Sequence, residues 1–377
     1  MNLFSPRHLK WSLLVLTILG VVSCGTPKPA PQAVGEASGS QAIEPLWNHK
    51  VGGDTGLNQS LNLVNGQLAL ATRSGQVQVV NTQNGELVWK QELEADLNAG
   101  VGFDGQSVAA VTSNNELVVL KQGQVAWRSR LTAPTYTNPL IAGDRVFLLL
   151  ADRSVMAYDL ANGQRLWTQQ RPGEALVLKQ NGVLMPFQNT LLVGLGGRLA
   201  GINPDNGQIR WEVPIATPRG INDLERLVDL VASPTRLRNS VCVRAFQAQV
   251  GCVDAARGSV LWTRPAQGAR GVDGDANILV GTEANGVVRA WGRSTGERAW
   301  DSDRLKYREL TDPLATPQGI VVGDAAGWLY ILSTKDGSLL NKVKTPAEGF
   351  ASKPTALPEG GFVILTRNAR LLAYRLP

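Results

Sequence analysis

The sequence predicts an all-β protein: an eight-bladed β-propeller of four-stranded antiparallel blades. Three observations carry this expectation. A tryptophan-ended segment recurs about every 40 residues, a period that signals a repeat architecture. Each period holds several short strand-like runs bounded by turn residues. The folded part also begins with an orphan copy of the tryptophan segment, while the last period lacks one.

The segment is clearest as Asn84-Gly85-Glu86-Leu87-Val88-Trp89. It returns as Asn162-Gly163-Gln164-Arg165-Leu166-Trp167 and Asn206-Gly207-Gln208-Ile209-Arg210-Trp211. Looser copies end at Trp127, Trp262 and Trp300, and a degenerate one places Asn341 where tryptophan is expected. With Trp47, the steps between successive copies run from 38 to 51 residues. Within residues 57–94, Gly66 to Thr72 reads as one strand and Gln76 to Val80 alternates as a second. Asn84-Gly85 then turns the chain into the tryptophan strand. Counting a linking strand before Gly66, each unit has four. Later units follow suit: Arg145 to Leu150 with Val155 to Tyr158, Ile278 to Gly281 with Val287 to Trp291, and Ile320 to Val322 with Trp328 to Leu332. Sustained helical spacing occurs at most over Leu224 to Val231. The final unit, Gly361 to Leu365 and Leu371 to Tyr374, stops at Pro377 without a tryptophan strand, and Leu46 to Val51 supplies it. The ring so closed has eight blades and loses two exposed edges.

A tryptophan repeated once per blade is a packing residue. Burying about 200 Å² of it at ~25 cal/mol/Å² contributes up to ~5 kcal/mol before entropy. Trp47, Trp89, Trp127, Trp167, Trp211, Trp262 and Trp300 are therefore expected to wedge between blades. Asn341 marks a weaker joint, for which Trp328 is the candidate relief.

Composition is that of a globular protein: 43% apolar, 18% charged and 40 glycines among 377 residues. The net charge is +6, with no dense basic run, so a solvated surface is expected and nucleic-acid binding is not. There are two histidines, His8 and His49, too few for a histidine metal cluster; His49 is expected to be structural.

Residues 1–23 read as a signal segment: Arg7 and Lys10, then an apolar run from Trp11 to Val22 that is too short to span a bilayer comfortably. It ends in Val21-Val22-Ser23-Cys24-Gly25, which resembles the lipobox of bacterial lipoproteins. That resemblance implies cleavage before Cys24, its acylation, and, with Gly25 following, delivery to the outer membrane. Acyl chains on Cys24 would hold the protein to the inner leaflet at ~0.8 kcal/mol per buried CH₂. Residues 24–43, rich in Pro, Ala, Gly and Ser, read as the lipidated cysteine and a flexible tether reaching about 25 Å. Residues 44–377 form the propeller.

Cys242 and Cys252 lie equidistant from Gln247, where a hairpin turn is expected. Strand pairing would place them opposite one another, as a disulfide or as two buried thiols.

The Gly-x-x-x-Trp ends resemble the tryptophan-docking repeats of quinoprotein dehydrogenases. Together with the lipobox, short tether and eight blades, they resemble the BamB family, lipoprotein subunits of the outer-membrane β-barrel assembly machinery. The likeness covers residues 24–377. It implies a non-catalytic scaffold, monomeric by itself, on the periplasmic face of the outer membrane. The implied partners are the POTRA domains of the BamA-like barrel-inserting subunit and other assembly lipoproteins, and no cofactor is implied. Ala175-Leu176-Val177-Leu178-Lys179 resembles the family's Leu-x-Leu-Arg partner loop, with lysine for arginine at Lys179, which loses bidentate hydrogen bonding. The bland reading of this stretch is an ordinary strand with alternating leucines. Glu225-Arg226-Leu227-Val228-Asp229 resembles the family's Asp-Arg-Leu-Ser-Asp stretch, which nominates Arg226 and Asp229; the family's second acid is Val231 here. This insertion accounts for the longest step between tryptophans.

Two rivals remain. A quinone-dependent dehydrogenase would carry a vicinal cysteine pair, and the three cysteines are Cys24, Cys242 and Cys252. A cell-wall or polysaccharide-binding propeller is the other. Gly194-Leu195-Gly196-Gly197 has no following helix and is not expected to bind phosphate.

Overall fold

The computed structural model describes residues 29–39, 43–57, 59–170, 176–218, 221 and 227–376. The chain divides into two units, Met1–Ala30 and Pro31–Pro377. Of the first, Pro29 and Ala30 are described, without regular structure.

The second unit forms eight four-stranded antiparallel sheets arranged as an eight-bladed propeller. Blades one to seven span 62–92, 102–130, 140–169, 184–214, 230–265, 272–302 and 314–344. Blade eight takes Thr355–Ala356, Phe362–Leu365 and Arg370–Arg375 from the C-terminal end and its outer strand, Glu44–Lys50, from the N-terminal one. The seam is a ladder from Glu44 opposite Arg375 to Lys50 opposite Arg370, bulged once between Pro45 and Trp47, so the ring closes on backbone hydrogen bonds.

Strand periodicity explains why the middle strands are apolar on both faces. In blade two, Val108 and Ala110 face the core shared with blade one, while Ala109 and Val111 face the core shared with blade three. The central side chains of both middle strands land in one interblade core or the other, so no polar alternation is needed there. The outer strands do alternate: Leu87–Glu92 is exposed or half-buried throughout.

The period of the sequence is set by a joint between blades. Each tryptophan lies on the glycine turn of the next blade. A Cβ added at Gly85 would meet the Trp47 ring at 2.5 Å. At Gly163 it would meet Trp127 at 2.7 Å, at Gly207 Trp167 at 2.6 Å, and at Gly258 Trp211 at 2.3 Å. Gly123, Gly296 and Gly337 receive Trp89, Trp262 and Trp300 in the same way. The glycine is thus doubly required, for this close approach and for a left-handed φ, 75° at Gly85. The asparagine before it has its own role: Asn84 Oδ1 accepts the Glu86 amide at 3.0 Å, and Asn162 and Asn206 repeat the contact. The indole N–H reaches the next blade too, Trp47 to the Thr82 carbonyl at 2.9 Å and Trp262 to that of Arg293 at 2.8 Å.

The degenerate copy now has a physical cause. Asn341 pairs with Ile331 at the same bulged register that Trp89 shares with Val79. The turn on which a tryptophan at 341 would land does not exist, because that corner of blade eight is the seam between the chain ends. Ile43, Leu376 and Tyr374 fill the joint, against Leu340 and Val343. Trp328 does not relieve it, contrary to expectation; it packs on the other side of blade seven, with Val34 and Ala37.

Those last contacts belong to residues 32–39, part of the stretch read as a tether, which lie on the propeller. The Ser38 amide and hydroxyl both donate to the Leu339 carbonyl at 3.1 Å, and the Gly39 amide donates to that of Leu340 at 2.7 Å. Lys342 Nζ donates to the carbonyls of Val34 and Gly35, and Arg308 to that of Gln32. Residues 32–39 are strapped along the outer edge of blade seven. Ser38→Pro should speed amide exchange at Gly39 while leaving the unfolding midpoint almost unchanged, since the two contacts contribute about 1 kcal/mol each. Unchanged exchange would contradict the strap.

Cys242 and Cys252 are directly paired across the hairpin of blade five, with Cα atoms 4.0 Å apart, and their sulfurs are bonded. Both are fully buried. Opening the bridge with Cys242→Ala and Cys252→Ala should cost up to about 2–3 kcal/mol in a denaturant titration, the chain-entropy value for so short a loop. A thiol assay on denatured, unreduced protein should find neither cysteine free; two titratable thiols would refute the bridge. The helical spacing noted over Leu224 to Val231 does not become a helix where it is described: Leu227 to Asp229 is irregular and Leu230 begins a strand. That strand carries a bulge between Val231 and Thr235, which shares responsibility for the longest repeat step.

Candidate partner-binding site

The loop after the outer strand of blade three and the loop before the inner strand of blade five meet on one face of the ring. Leu176 to Gln180 belongs to the first and Leu227 to Asp229 to the second. The first is a loop, not the strand that alternating leucines allowed. Leu178 donates its amide to Asp229 Oδ2 at 2.9 Å, which joins the two. Asp229 Oδ1 lies 2.9 Å from Arg153 Nη1, and Arg153 Nη2 donates to the Leu176 carbonyl at 2.9 Å. The Leu176 side chain stands 44% exposed above this network. Lys179 is exposed, with its Nζ 5.5 Å from the centre of the Tyr136 ring. Leu178 is half-buried, in a cavity lined by Tyr136, Leu149, Arg153, Val177 and Asp229. The arrangement offers an apolar projection, a cation and an aromatic ring on a pinned backbone, which suits a protein partner.

Of the residues nominated from sequence, Leu176, Leu178, Lys179 and Asp229 come together here. Arg226, Ala175 and Cys24 lie outside the described residues. Arg153 was not nominated. Its signal was there to find: it occupies the hairpin position held by Gly75, Asn115, Gly286 and Gly327 in other blades, each with its amide on the residue three before.

Other polar clusters are structural. Arg244 is fully buried against Glu283 at 3.3 Å; burial pushes its pKa down, and Glu283 opposes that. Asp324 accepts from Arg308 and from the Tyr330 hydroxyl, and burial with that carboxylate drives the Tyr330 pKa upward. His49 meets Gln78 at 2.9 Å. Among the described residues no group of three or more His, Cys, Asp or Glu could hold a metal ion. The Ser60 hydroxyl, entering blade one, meets that of Ser233 in blade five at 2.9 Å, and Asn138 and Asn181 also bond to Ser60. Blades one and five are opposite in a ring of eight, so these side chains bridge the channel.

Residues 73–302, more than half of the chain, match the family described as outer membrane protein assembly factor BamB. The chain belongs to the BamB family. A BamB of Bordetella pertussis is 30% identical over 366 residues, covering 96% of this chain and 95% of that one. The Burkholderia pseudomallei BamB is 28% identical over 364 residues, covering 95% of each. The crystal structure of BamB from Moraxella catarrhalis superposes with a TM-score of 0.80 at 20% identity, over 89% of this chain and all of that one. The quinohemoprotein alcohol dehydrogenase of Comamonas testosteroni shares the fold alone, with a TM-score of 0.68 at 12% identity over 89% of this chain and 77% of that one. The likeness to BamB proteins therefore runs the length of the propeller.

Proposed function

We propose that this chain is a non-catalytic scaffold in outer-membrane protein assembly, which binds the POTRA region of the barrel-inserting, BamA-like subunit and assists insertion of β-barrel proteins. The observation that carries the reading is the convergence of the two BamB-like stretches. Leu176 to Lys179 and Asp229 are separated by about 50 residues of sequence and share one hydrogen-bonded site on the ring face. A rigid ring presenting a pinned loop is a binding device. The role needs no cofactor, and the propeller is expected to be monomeric by itself. Cys24 carries the lipid that holds it to the inner leaflet of the outer membrane, on the periplasmic side, beside other assembly lipoproteins.

Gentle detergent extraction tests this directly. The lipoprotein should co-purify with a large outer-membrane barrel carrying POTRA domains, and mass spectrometry should find diacylglycerol and an N-acyl chain on Cys24. Failure to recover the barrel subunit would overturn the partner, and an unmodified Cys24 would overturn the anchor. Quinone absorbance in the purified protein would reinstate the dehydrogenase reading.

A further inference from the structure

Arg153 lies at a hairpin tip where the backbone is left-handed, with φ 63°. The equivalent positions Gly75, Gly286 and Gly327 are glycine, which adopts that conformation freely, and Asn115 tolerates it. Ala369 holds the same position in blade eight with φ 58°, so the conformation by itself assigns no role; the question is what the arginine does there. Its side chain answers it. One guanidinium nitrogen is paired with Asp229 at 2.9 Å, and the other donates to the Leu176 carbonyl at 2.9 Å. Asp229 closes the triangle by accepting the Leu178 amide.

The loop is thus gripped at both ends of the span from Leu176 to Leu178, and its two clamps are paired with each other. The Arg153 and Asp229 side chains are only 13% and 14% exposed, so their pairing is less screened than a surface ion pair. Both Asp229 oxygens are spent inside the protein. Lys179 lacks the bidentate fork, and Arg153 brings one to the loop from the middle hairpin of blade three.

We infer that Arg153 and Asp229 are positioning residues for the partner-binding loop: they hold Leu176 and Lys179 in the bound conformation before the partner arrives. The inference rests on the reading of this loop as the partner site. An exposed leucine on an irregular segment would otherwise lose backbone freedom on binding, and the clamp removes that cost in advance. Asp229, which its family likeness nominates for contact, acts through the loop.

The test uses the full lipoprotein and the isolated POTRA region as probe, with two readouts. Arg153→Ala and Asp229→Asn should each speed amide exchange at Leu178 and weaken POTRA binding by about tenfold, the scale expected for ordering a short segment. Arg153→Lys, able to pair with Asp229 but not to span to Leu176 as well, should recover part of both. In a Leu176→Ala, Leu178→Ala background, Arg153→Ala should add less than about twofold, because residues acting through one contact are not additive. Three results would overturn the inference. If Arg153→Ala loosens Leu178 but leaves binding unchanged while the leucine variant abolishes it, positioning fails and the site stands. A full additive loss in the leucine background would make Arg153 a direct contact. If the leucine variant binds normally, the site reading falls and the inference with it.

Discussion

Trp167→Ala is expected to destabilise the propeller by about 3–5 kcal/mol, the cost of emptying a buried indole site. Trp167 is 9% exposed, donates to the Pro204 carbonyl at 2.8 Å and lies 6.0 Å from the Phe147 ring, centre to centre. It stacks over Gly207 of the following blade, so the variant opens a cavity at a joint between two blades and strands a carbonyl. Equilibrium denaturation should show the loss as a lower midpoint. Asn341→Trp is the matching control. It restores the repeat consensus but faces the seam, with Ile43 and Leu376 already in place and no turn to stack on. It should give no stabilisation. A raised midpoint in Asn341→Trp would show that the tryptophan stabilises without its glycine, against the joint described above.

The second large effect falls on binding. Leu176→Ala with Leu178→Ala should weaken association with the POTRA region by at least about 30-fold, since each leucine truncated at an interface removes roughly 1–2 kcal/mol of apolar burial. The two differ in kind. Leu176 projects 44% exposed and should account for most of the contact, so Leu176→Ala alone should carry the greater share. Leu178 is half-buried beneath the loop and supports it. The unfolding midpoint should shift by no more than a few degrees, because neither residue lies in an interblade core. A binding loss that tracks a collapse in stability would mean that the loop is structural. Lys179→Ala should slow association with the POTRA region and flatten its dependence on ionic strength, as removal of a steering cation does.

Much of this architecture was legible in the sequence because it repeats. Period, turn dipeptide and tryptophan recur together, and local chemistry fixes each: Asn84 and Gly85 specify a turn wherever they occur, and two-residue alternation specifies a strand. The orphan Trp47 fixed the blade count and the closure, since a strand without its partners has to borrow them. The hairpin symmetry of Cys242 and Cys252 about Gln247 narrowed their geometry to a facing pair, though not to a bond.

What lay beyond reach were relations between residues far apart in sequence. That each glycine is the landing site for the previous blade's tryptophan follows from how blades pack, and it explains Asn341 as a consequence of the seam rather than a lapse in the repeat. Residues 32–39 read as featureless by composition, and only the open edge of blade seven gives them a place. Leu176, Asp229 and Arg153 come from three separate loops. Nothing local to any one of them names the others, because the ring, by fixing where blades three, four and five turn, is what brings the carboxylate, the guanidinium and the loop backbone within hydrogen-bonding distance.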